Sequence, residues 1–155
     1  MNPDENLQRL GLELPEVPEP VGTYVPAMRA GRLVFTAGQI PLKGDMLVAV
    51  GSVPTEASVE QAQAAARQCT LNALAAVRSV AGSLDVVARV VRMNVYVQSA
   101  EGFAEQSEVA NAASGLLGEV FGEAGRHSRC AIGVAELPRN ATVELDLIVE
   151  LTAEA

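Results

Sequence analysis

The chain has 155 residues, of which 49% are apolar and 19% are charged, a composition that suffices for one domain with a buried core. The formal charge is -8 at pH 7 and no Lys/Arg-rich run occurs, so binding to the phosphate backbone of nucleic acids is disfavoured. Cys69 and Cys130 lie far apart, and His127 is the only histidine. We therefore predict no metal site built from Cys and His ligands.

The chain begins with an acidic stretch, and no segment approaches the roughly eighteen consecutive apolar residues of a membrane-spanning helix. These features predict a cytoplasmic protein with reduced cysteines and no contact with a membrane. Its mean hydropathy of +0.21 is high for so small a chain. We therefore expect other subunits to cover part of an apolar surface.

We predict an N-terminal extension over residues 1–20 and a single domain over residues 21–155. Within the extension, leucines at helical spacing predict a short helix over residues 4–14. Prolines cannot continue a helix and favour an extended connection. Three of them follow the predicted helix: Pro15, Pro18 and Pro20.

Three short strands are predicted at the start of the domain, because short apolar runs alternate with turns that contain glycine. They cover Tyr24–Arg29, Arg32–Gly38 and Met46–Val50. A long helix is predicted next, since Ser58 and Gln61 fit a capping box. Apolar residues then recur every three or four positions until Gly82, a typical C-terminal cap.

A strand, a helix and two more strands are predicted in the second half of the domain. Apolar and polar residues alternate over Val91–Gln98, as in a strand with one buried face. A helix is expected from about Ala100 to Phe121. The last two strands, Arg129–Glu136 and Thr142–Leu151, are expected to form a hairpin. The order βββ-α-β-α-ββ predicts an α/β (α+β) fold, with a mixed six-stranded sheet and two helices on one face.

Alternation along the two last strands suggests a site on the uncovered face of the sheet. If both strands turn their apolar sides to the helices, Arg129 and Glu144 meet on the opposite face, and Cys130 points into the core. Ala131 and Gly133 would leave space beside them. An arginine can bind a carboxylate through two parallel hydrogen bonds, and a glutamate can transfer a proton or activate water.

A different interpretation stays open for these residues. Arg129, Glu144 and Asp146 could be charges on a solvated face of the sheet. His127 could contact a ligand beside Arg129, although a loop histidine is more often a surface residue.

Two segments carry motifs that resemble those of one known family. Residues 22–41 read GTYVPAMRAGRLVFTAGQIP, and residues 129–138 read RCAIGVAELP, followed by VELD at 143–146. The first segment is similar to the opening motif, and the second to the closing motif, of the RidA/YjgF family, the reactive intermediate deaminases. The resemblance covers about residues 20–150.

The resemblance implies a chorismate-mutase-like fold, a homotrimer, and sites in clefts between subunits. It also implies hydrolysis of reactive 2-imino and 2-enamino acids to 2-oxo acids and ammonia, with no metal and no organic cofactor. Arg129 would bind the substrate carboxylate, and Glu144 would position or activate the attacking water. The cleft would also be lined by Tyr24, Ala37, Gly38, Asn111 and Ala131.

Two positions depart from the family pattern and keep other functions open. Ala37 stands where many members have serine, and Ala131 stands where deaminases commonly have cysteine, so the chain resembles a divergent subgroup. A second hypothesis is a non-catalytic trimer that binds a small carboxylate in the same cleft. A third is the endoribonuclease or translation-inhibitor role of some members, which the acidic charge and the single histidine disfavour.

Overall fold

A five-stranded mixed sheet carries two long helices on one of its faces. The computed structural model describes residues 2–17, 19–20 and 22–155. The strands of the sheet, in spatial order, are β1 (Ala27–Ala30), β2 (Leu33–Thr36), β7 (Val143–Leu151), β5 (Val87–Gln98) and β6 (Ser128–Val134). Neighbouring strands are antiparallel except β5 and β6, which are parallel. The predicted mixed α/β architecture with one helix-covered face is confirmed.

The strand predicted at Met46–Val50 does not join this sheet. Instead, β3 (Leu42–Lys43) and β4 (Met46–Leu47) form a separate two-stranded ribbon. Gly44 makes the turn between them with a φ of 62°, a conformation that favours glycine. After Leu47 the chain leaves the ribbon, so the main sheet has five strands rather than the predicted six.

Helix α2 (Val59–Ala81) has the predicted boundaries. The Gln61 N–H donates to Ser58 Oγ at 3.0 Å, and the Ser58 N–H donates to Gln61 Oε1 at 2.8 Å, so the capping box is complete. Gly82 ends the helix with a φ of 84°. The buried side of α2 is rich in alanine, and such small side chains allow the helix to pack close to the sheet.

The other helices start or end at different residues than predicted. Helix α3 (Gln106–Phe121) begins later than Ala100, because the preceding residues form a turn closed by a hydrogen bond from the Phe103 N–H to the Ala100 carbonyl. Helix α1 (Pro3–Arg9) is shorter than predicted, and it packs on α3. Pro18 of the predicted extended connection lies outside the described residues, as does Val21 at the predicted domain boundary.

The hairpin predicted from the last two strands is wrong. Strands β6 and β7 lie on opposite sides of β5, and the chain crosses the end of β5 to connect them. The side chain of Gln98 holds this crossing in place. Its Oε1 accepts from the Leu137 N–H at 2.8 Å, and its Nε2 donates to Asn140 Oδ1 at 2.6 Å. The crossing explains why β6 pairs parallel to β5 rather than antiparallel to β7.

The helices of the described residues are too short or too polar to span a membrane. None of them combines the length and apolar character that a bilayer requires.

The glycine at position 125 is expected to be required for the packing of α3 onto the turn that follows it. A Cβ at this position would overlap the Leu117 carbonyl oxygen, whereas a Cβ at Gly115 of α3 would meet nothing within 4 Å. We expect Gly125→Ala to lower the free energy of unfolding by about 2 kcal/mol. As a control, Gly115→Ala should raise it by about 0.5 to 1 kcal/mol. Urea denaturation of both variants measures the two changes, and equal stabilities would contradict this account.

Candidate active site

The register of β5 with its two neighbours determines which face each candidate residue uses. Met93 is fully buried on the helix-covered face, and its partner in β6 is Arg129. Tyr96 points to the opposite face, and its partner in β7 is Glu144. Because directly paired residues point to the same side of a sheet, Arg129 and Glu144 lie on opposite faces. The prediction that they meet on the uncovered face of one chain is therefore wrong.

The same register overturns the predicted orientation of Cys130. Its partner is Asn94, on the uncovered face, and the cysteine is exposed. The helix side of β6 instead holds Ala131 and Gly133, because little space is left there. A Cβ on residue 133 would come within 3.0 Å of the Ser99 hydroxyl oxygen. The small side chains thus allow close approach beneath the helices and do not leave a gap above the uncovered face.

Arg129 reaches from the edge strand β6 toward α3. Its Nη1 donates to Ser114 Oγ at 2.9 Å, and its Nη2 donates to the Ser107 carbonyl oxygen at 3.3 Å. In the described part of the chain it forms no ion pair with a carboxylate. The guanidinium is therefore oriented by neutral oxygens and retains a positive charge that can bind an anion.

Glu144 lies in a cavity on the other side of the sheet. Tyr24, Gly38 and Ile40 also line this cavity. The residue after Gly38 forms a β-bridge with Leu145: the Gln39 N–H donates to the Leu145 carbonyl at 2.7 Å, and the Leu145 N–H donates back at 3.1 Å. This bridge holds Gly38 directly against Glu144.

The contact between Gly38 and Glu144 leaves no room for a side chain at position 38. A Cβ there would overlap the Glu144 carboxylate. Tyr24, which lines the same cavity, is about half exposed (47%). The loop that contains Gly38 and strand β7 thus place the Glu144 carboxylate against the Gly38 backbone, in a cavity that Tyr24 also lines.

The pKa of Glu144 is raised above its ordinary value. Burial is the larger cause, since it disfavours the charged carboxylate, and the negative charge of Asp146 adds to it. Asp146 itself accepts hydrogen bonds from Asn94 Nδ2 at 2.9 Å and from the Tyr96 hydroxyl at 3.3 Å. A carboxylate whose pKa is moved toward neutrality is suited to proton transfer.

The predicted site residues thus form two groups in one chain. Tyr24, Gly38 and Glu144 share a cavity, and Ala37 precedes Gly38 in the same loop. The second group lies at the edge formed by α3 and β6. Arg129 lies there with Ala131 two residues further along β6, and Asn111 is exposed on α3 between Ser107 and Ser114, at the spacing of one helix face. Within one chain the two groups lie apart, on opposite faces of the sheet.

The sequence analysis missed three contacts of the Arg129 group. Ser107 and Ser114 hold the guanidinium, and His127 contacts Ser114 with its Nε2 3.0 Å from Ser114 Oγ. His127 is partly buried, in contrast to the surface residue that we favoured. Two sequence signals indicate this cluster: the serines are seven residues apart, on one face of a helix, and His127 lies two residues before Arg129, directly ahead of β6.

Among the residues that the structure describes, no group of three or more His, Cys, Asp or Glu side chains is placed to hold a metal ion.

The raised pKa of Glu144 predicts a stability change with a defined dependence on pH. An acid whose pKa is higher in the folded state than in the unfolded state destabilises the fold when it ionises, and this penalty is absent below its unfolded pKa of about 4.3. We expect Glu144→Gln to raise the Tm at pH 7 by about 2 °C, with a gain that disappears as the pH falls to about 4.

Glu101→Gln is the control, because it removes an exposed carboxylate from a chain of charge -8 and should leave the Tm nearly unchanged. Thermal unfolding followed by circular dichroism at several pH values measures both variants. An equal gain in the two, or a Glu144→Gln gain that persists at low pH, would contradict the assignment.

The sequence and the structure can now be compared with those of known proteins. Residues 4–151 match the family described as "YjgF/chorismate_mutase-like, putative endoribonuclease". The chain is 46% identical over 147 residues to Protein TCP17 of Trypanosoma cruzi, covering 94% of this chain and 92% of that protein. It is 28% identical over 138 residues to the 2-iminobutanoate/2-iminopropanoate deaminase of Dermatophagoides farinae, covering 89% and 93% of the two chains.

A solved structure agrees with these sequence matches. The crystal structure of the protein Atu1372 of Agrobacterium tumefaciens, whose function is unknown, superposes with a TM-score of 0.89 at 40% identity, covering 97% of this chain and 93% of that chain. The match along nearly the whole sequence, the shared fold and the two motifs lead to one conclusion: the chain belongs to the RidA/YjgF family of chorismate-mutase-like proteins.

Proposed function

We propose that the protein hydrolyses 2-imino and 2-enamino acids to 2-oxo acids and ammonia, in clefts between the subunits of a homotrimer. The observation that carries this proposal is the Glu144 carboxylate, which lies in a cavity against the backbone of Gly38 with its pKa raised. A relative in the same family is named a 2-iminobutanoate/2-iminopropanoate deaminase. Arg129 and Glu144 stand at the positions of the family motif, whereas Ala37 and Ala131 depart from it.

The separation of the two groups supports a site shared between subunits. Arg129 and Glu144 cannot contact one ligand within a chain, because they lie on opposite faces of the sheet. In the proposed trimer, Arg129 of one subunit faces the Glu144 cavity of the next. The uncovered face supports association, since it exposes the apolar side chains of Met28 (59%), Phe35 (40%) and Ile132 (47%).

The two groups have complementary roles in the proposed reaction. Arg129 binds the substrate carboxylate with its planar fork and so places the imine carbon beside Glu144. As water adds to the carbon of the protonated imine, the Glu144 carboxylate accepts a proton from that water. Glu144 then gives this proton to the amino nitrogen of the tetrahedral intermediate. When the C–N bond breaks and ammonia leaves, Glu144 accepts the proton of the remaining hydroxyl group, which becomes the carbonyl of the 2-oxo acid, and passes that proton to ammonia. The products are one 2-oxo acid and one ammonium ion for each water consumed.

Two other functions predict different results. A trimer that only binds carboxylates is favoured by Ala37 and Ala131, which lack the polar groups common at these positions in deaminases. It predicts binding of 2-oxo acids without turnover. The family description also names an endoribonuclease, but a charge of -8 repels RNA and one histidine cannot form a histidine pair for RNA cleavage.

The proposed role of Arg129 predicts the effect of a conservative substitution. Arg129→Lys keeps the charge but loses the planar fork, so we expect kcat/KM to fall about tenfold or more. The assay generates a 2-imino acid in situ with an amino-acid oxidase and follows release of the 2-oxo acid. Arg67→Lys is a matched control, because Arg67 pairs with Glu119 between α2 and α3, and should keep wild-type activity. Unchanged turnover in Arg129→Lys would refute the role of Arg129.

A site shared between subunits predicts that two inactive variants restore each other. In a mixture of Arg129→Ala and Glu144→Gln chains, an intact site forms wherever the arginine of one subunit meets the glutamate of the next. Random exchange into trimers from equal amounts should restore about a quarter of wild-type activity. Exchange under mild denaturant, followed by the oxidase-coupled assay, measures this value, and light scattering measures the oligomeric state. A monomeric mass, or no recovery in a confirmed mixed oligomer, would refute the shared site.

A further inference from the structure

The Arg129 guanidinium is held by hydrogen bonds that the proposed reaction does not itself require. Nη1 donates to Ser114 Oγ at 2.9 Å, and Nη2 donates to the Ser107 carbonyl oxygen at 3.3 Å. Arginine has several rotatable bonds, so fixing it costs conformational entropy. A protein that orients it before the ligand arrives avoids that cost during binding.

Ser114 has a second partner, which is the only histidine of the chain. His127 Nε2 lies 3.0 Å from Ser114 Oγ, and His127 Nδ1 lies 2.6 Å from the Gly125 carbonyl oxygen. A carbonyl oxygen only accepts, so Nδ1 carries a proton. In the neutral ring Nε2 is therefore an acceptor, and the Ser114 hydroxyl donates to it. This leaves the lone pairs of Ser114 Oγ for Arg129.

We propose that Ser114 and His127 are positioning residues, which order the Arg129 guanidinium through a continuous chain of hydrogen bonds. The chain runs from the Gly125 carbonyl through the histidine ring and the serine hydroxyl to Nη1. A serine beside a histidine is also the geometry of an activated nucleophile. Here the serine oxygen already accepts a hydrogen bond from a guanidinium, whose positive charge makes that oxygen a weaker nucleophile, so we assign positioning.

This inference rests on the proposed function only for the identity of the ligand. The hydrogen-bond chain exists without it and is tested without it. Because the chain contains one histidine, the side-chain ¹⁵N spectrum contains a single imidazole.

The first test is the tautomer of His127, measured by long-range ¹H–¹⁵N correlation at a pH where the ring is neutral. We expect the Nδ1–H form in the wild type. In Ser114→Ala we expect Nδ1 to stay protonated while the Nε2 resonance shifts, because Nε2 loses its donor. An Nε2–H ring in the wild type, or an Nε2 resonance unchanged by Ser114→Ala, would overturn the proposal.

The second test is the effect on binding and turnover. Ser114→Ala and His127→Ala should raise KM, and the Kd for 2-oxobutanoate measured by calorimetry, roughly fivefold, the factor that corresponds to about 1 kcal/mol for one net hydrogen bond. The value of kcat should change less than about twofold, because the carboxylate contact is uniform binding. Ser114→Thr keeps a hydroxyl and should restore wild-type values.

Ser79→Ala is the matched control for these variants. Ser79 lies in α2, away from Arg129, and its hydroxyl donates to the Ala76 carbonyl of its own helix at 2.7 Å, so losing it should change neither constant. An equal effect of Ser79→Ala, or a fall in kcat with unchanged Kd in Ser114→Ala, would contradict positioning through Arg129.

A third readout separates failure of this proposal from failure of the proposed function. If the wild type neither binds 2-oxobutanoate nor hydrolyses imines, the deaminase proposal fails. The hydrogen-bond chain is then tested through the rotation of the Arg129 guanidinium about its Nε–Cζ bond, which ¹⁵N exchange measures. The Arg129 signal is assigned as the one that is absent from the spectrum of Arg129→Lys. Ser114→Ala should accelerate that rotation severalfold, and Ser79→Ala should not. An unchanged rate of rotation in Ser114→Ala would overturn the proposed positioning through the hydrogen-bond chain.

Discussion

The pairing of β5 with its two neighbours determines the faces on which Arg129 and Glu144 lie. The parallel pairing with β6 aligns Met93 with Arg129 on the helix side, while the antiparallel pairing with β7 aligns Tyr96 with Glu144 on the other side. The side chain of Gln98 fixes this arrangement by binding both ends of the crossing between β6 and β7. The hairpin predicted from the sequence, with the apolar sides of both strands toward the helices, would have placed the guanidinium and the carboxylate on one face. The crossing instead divides them between two surfaces of the subunit.

The Glu144 half of the site depends on the face of the sheet that the helices leave uncovered. Asp146 lies on that face and is held by hydrogen bonds from Asn94 and Tyr96. Its charge adds to the effect of burial on the pKa of Glu144. Gly38 completes the arrangement, because any side chain there would displace the carboxylate. The polar network on the sheet is thus connected to the proton affinity of the proposed catalytic group.

How much of this could be predicted from the sequence depended on whether the signal was local. The capping box at Ser58 and the alternation over β5 involve residues close in the chain, and both were found. The partner of β6 could not be derived, because a short connection rich in turn residues suits a hairpin and gives no sign that it crosses another strand. The prediction that Cys130 points into the core was wrong for a related reason. Period-two alternation divides a strand into two faces but does not show which of them is buried.

The position of the two groups also constrains how subunits would assemble around a shared site. A two-fold interface uses one self-complementary patch, so both groups would have to lie on that patch. Arg129 and Glu144 lie on opposite faces of the sheet, which a single patch cannot combine. A shared site therefore requires a head-to-tail contact, in which the α3–β6 edge of one subunit meets the β7 cavity of the next. Head-to-tail contacts close into rings when the rotation between subunits allows it, and a closed ring has as many sites as subunits. The proposed trimer is a ring of this kind, and the division of the site within each chain gives a physical reason for it.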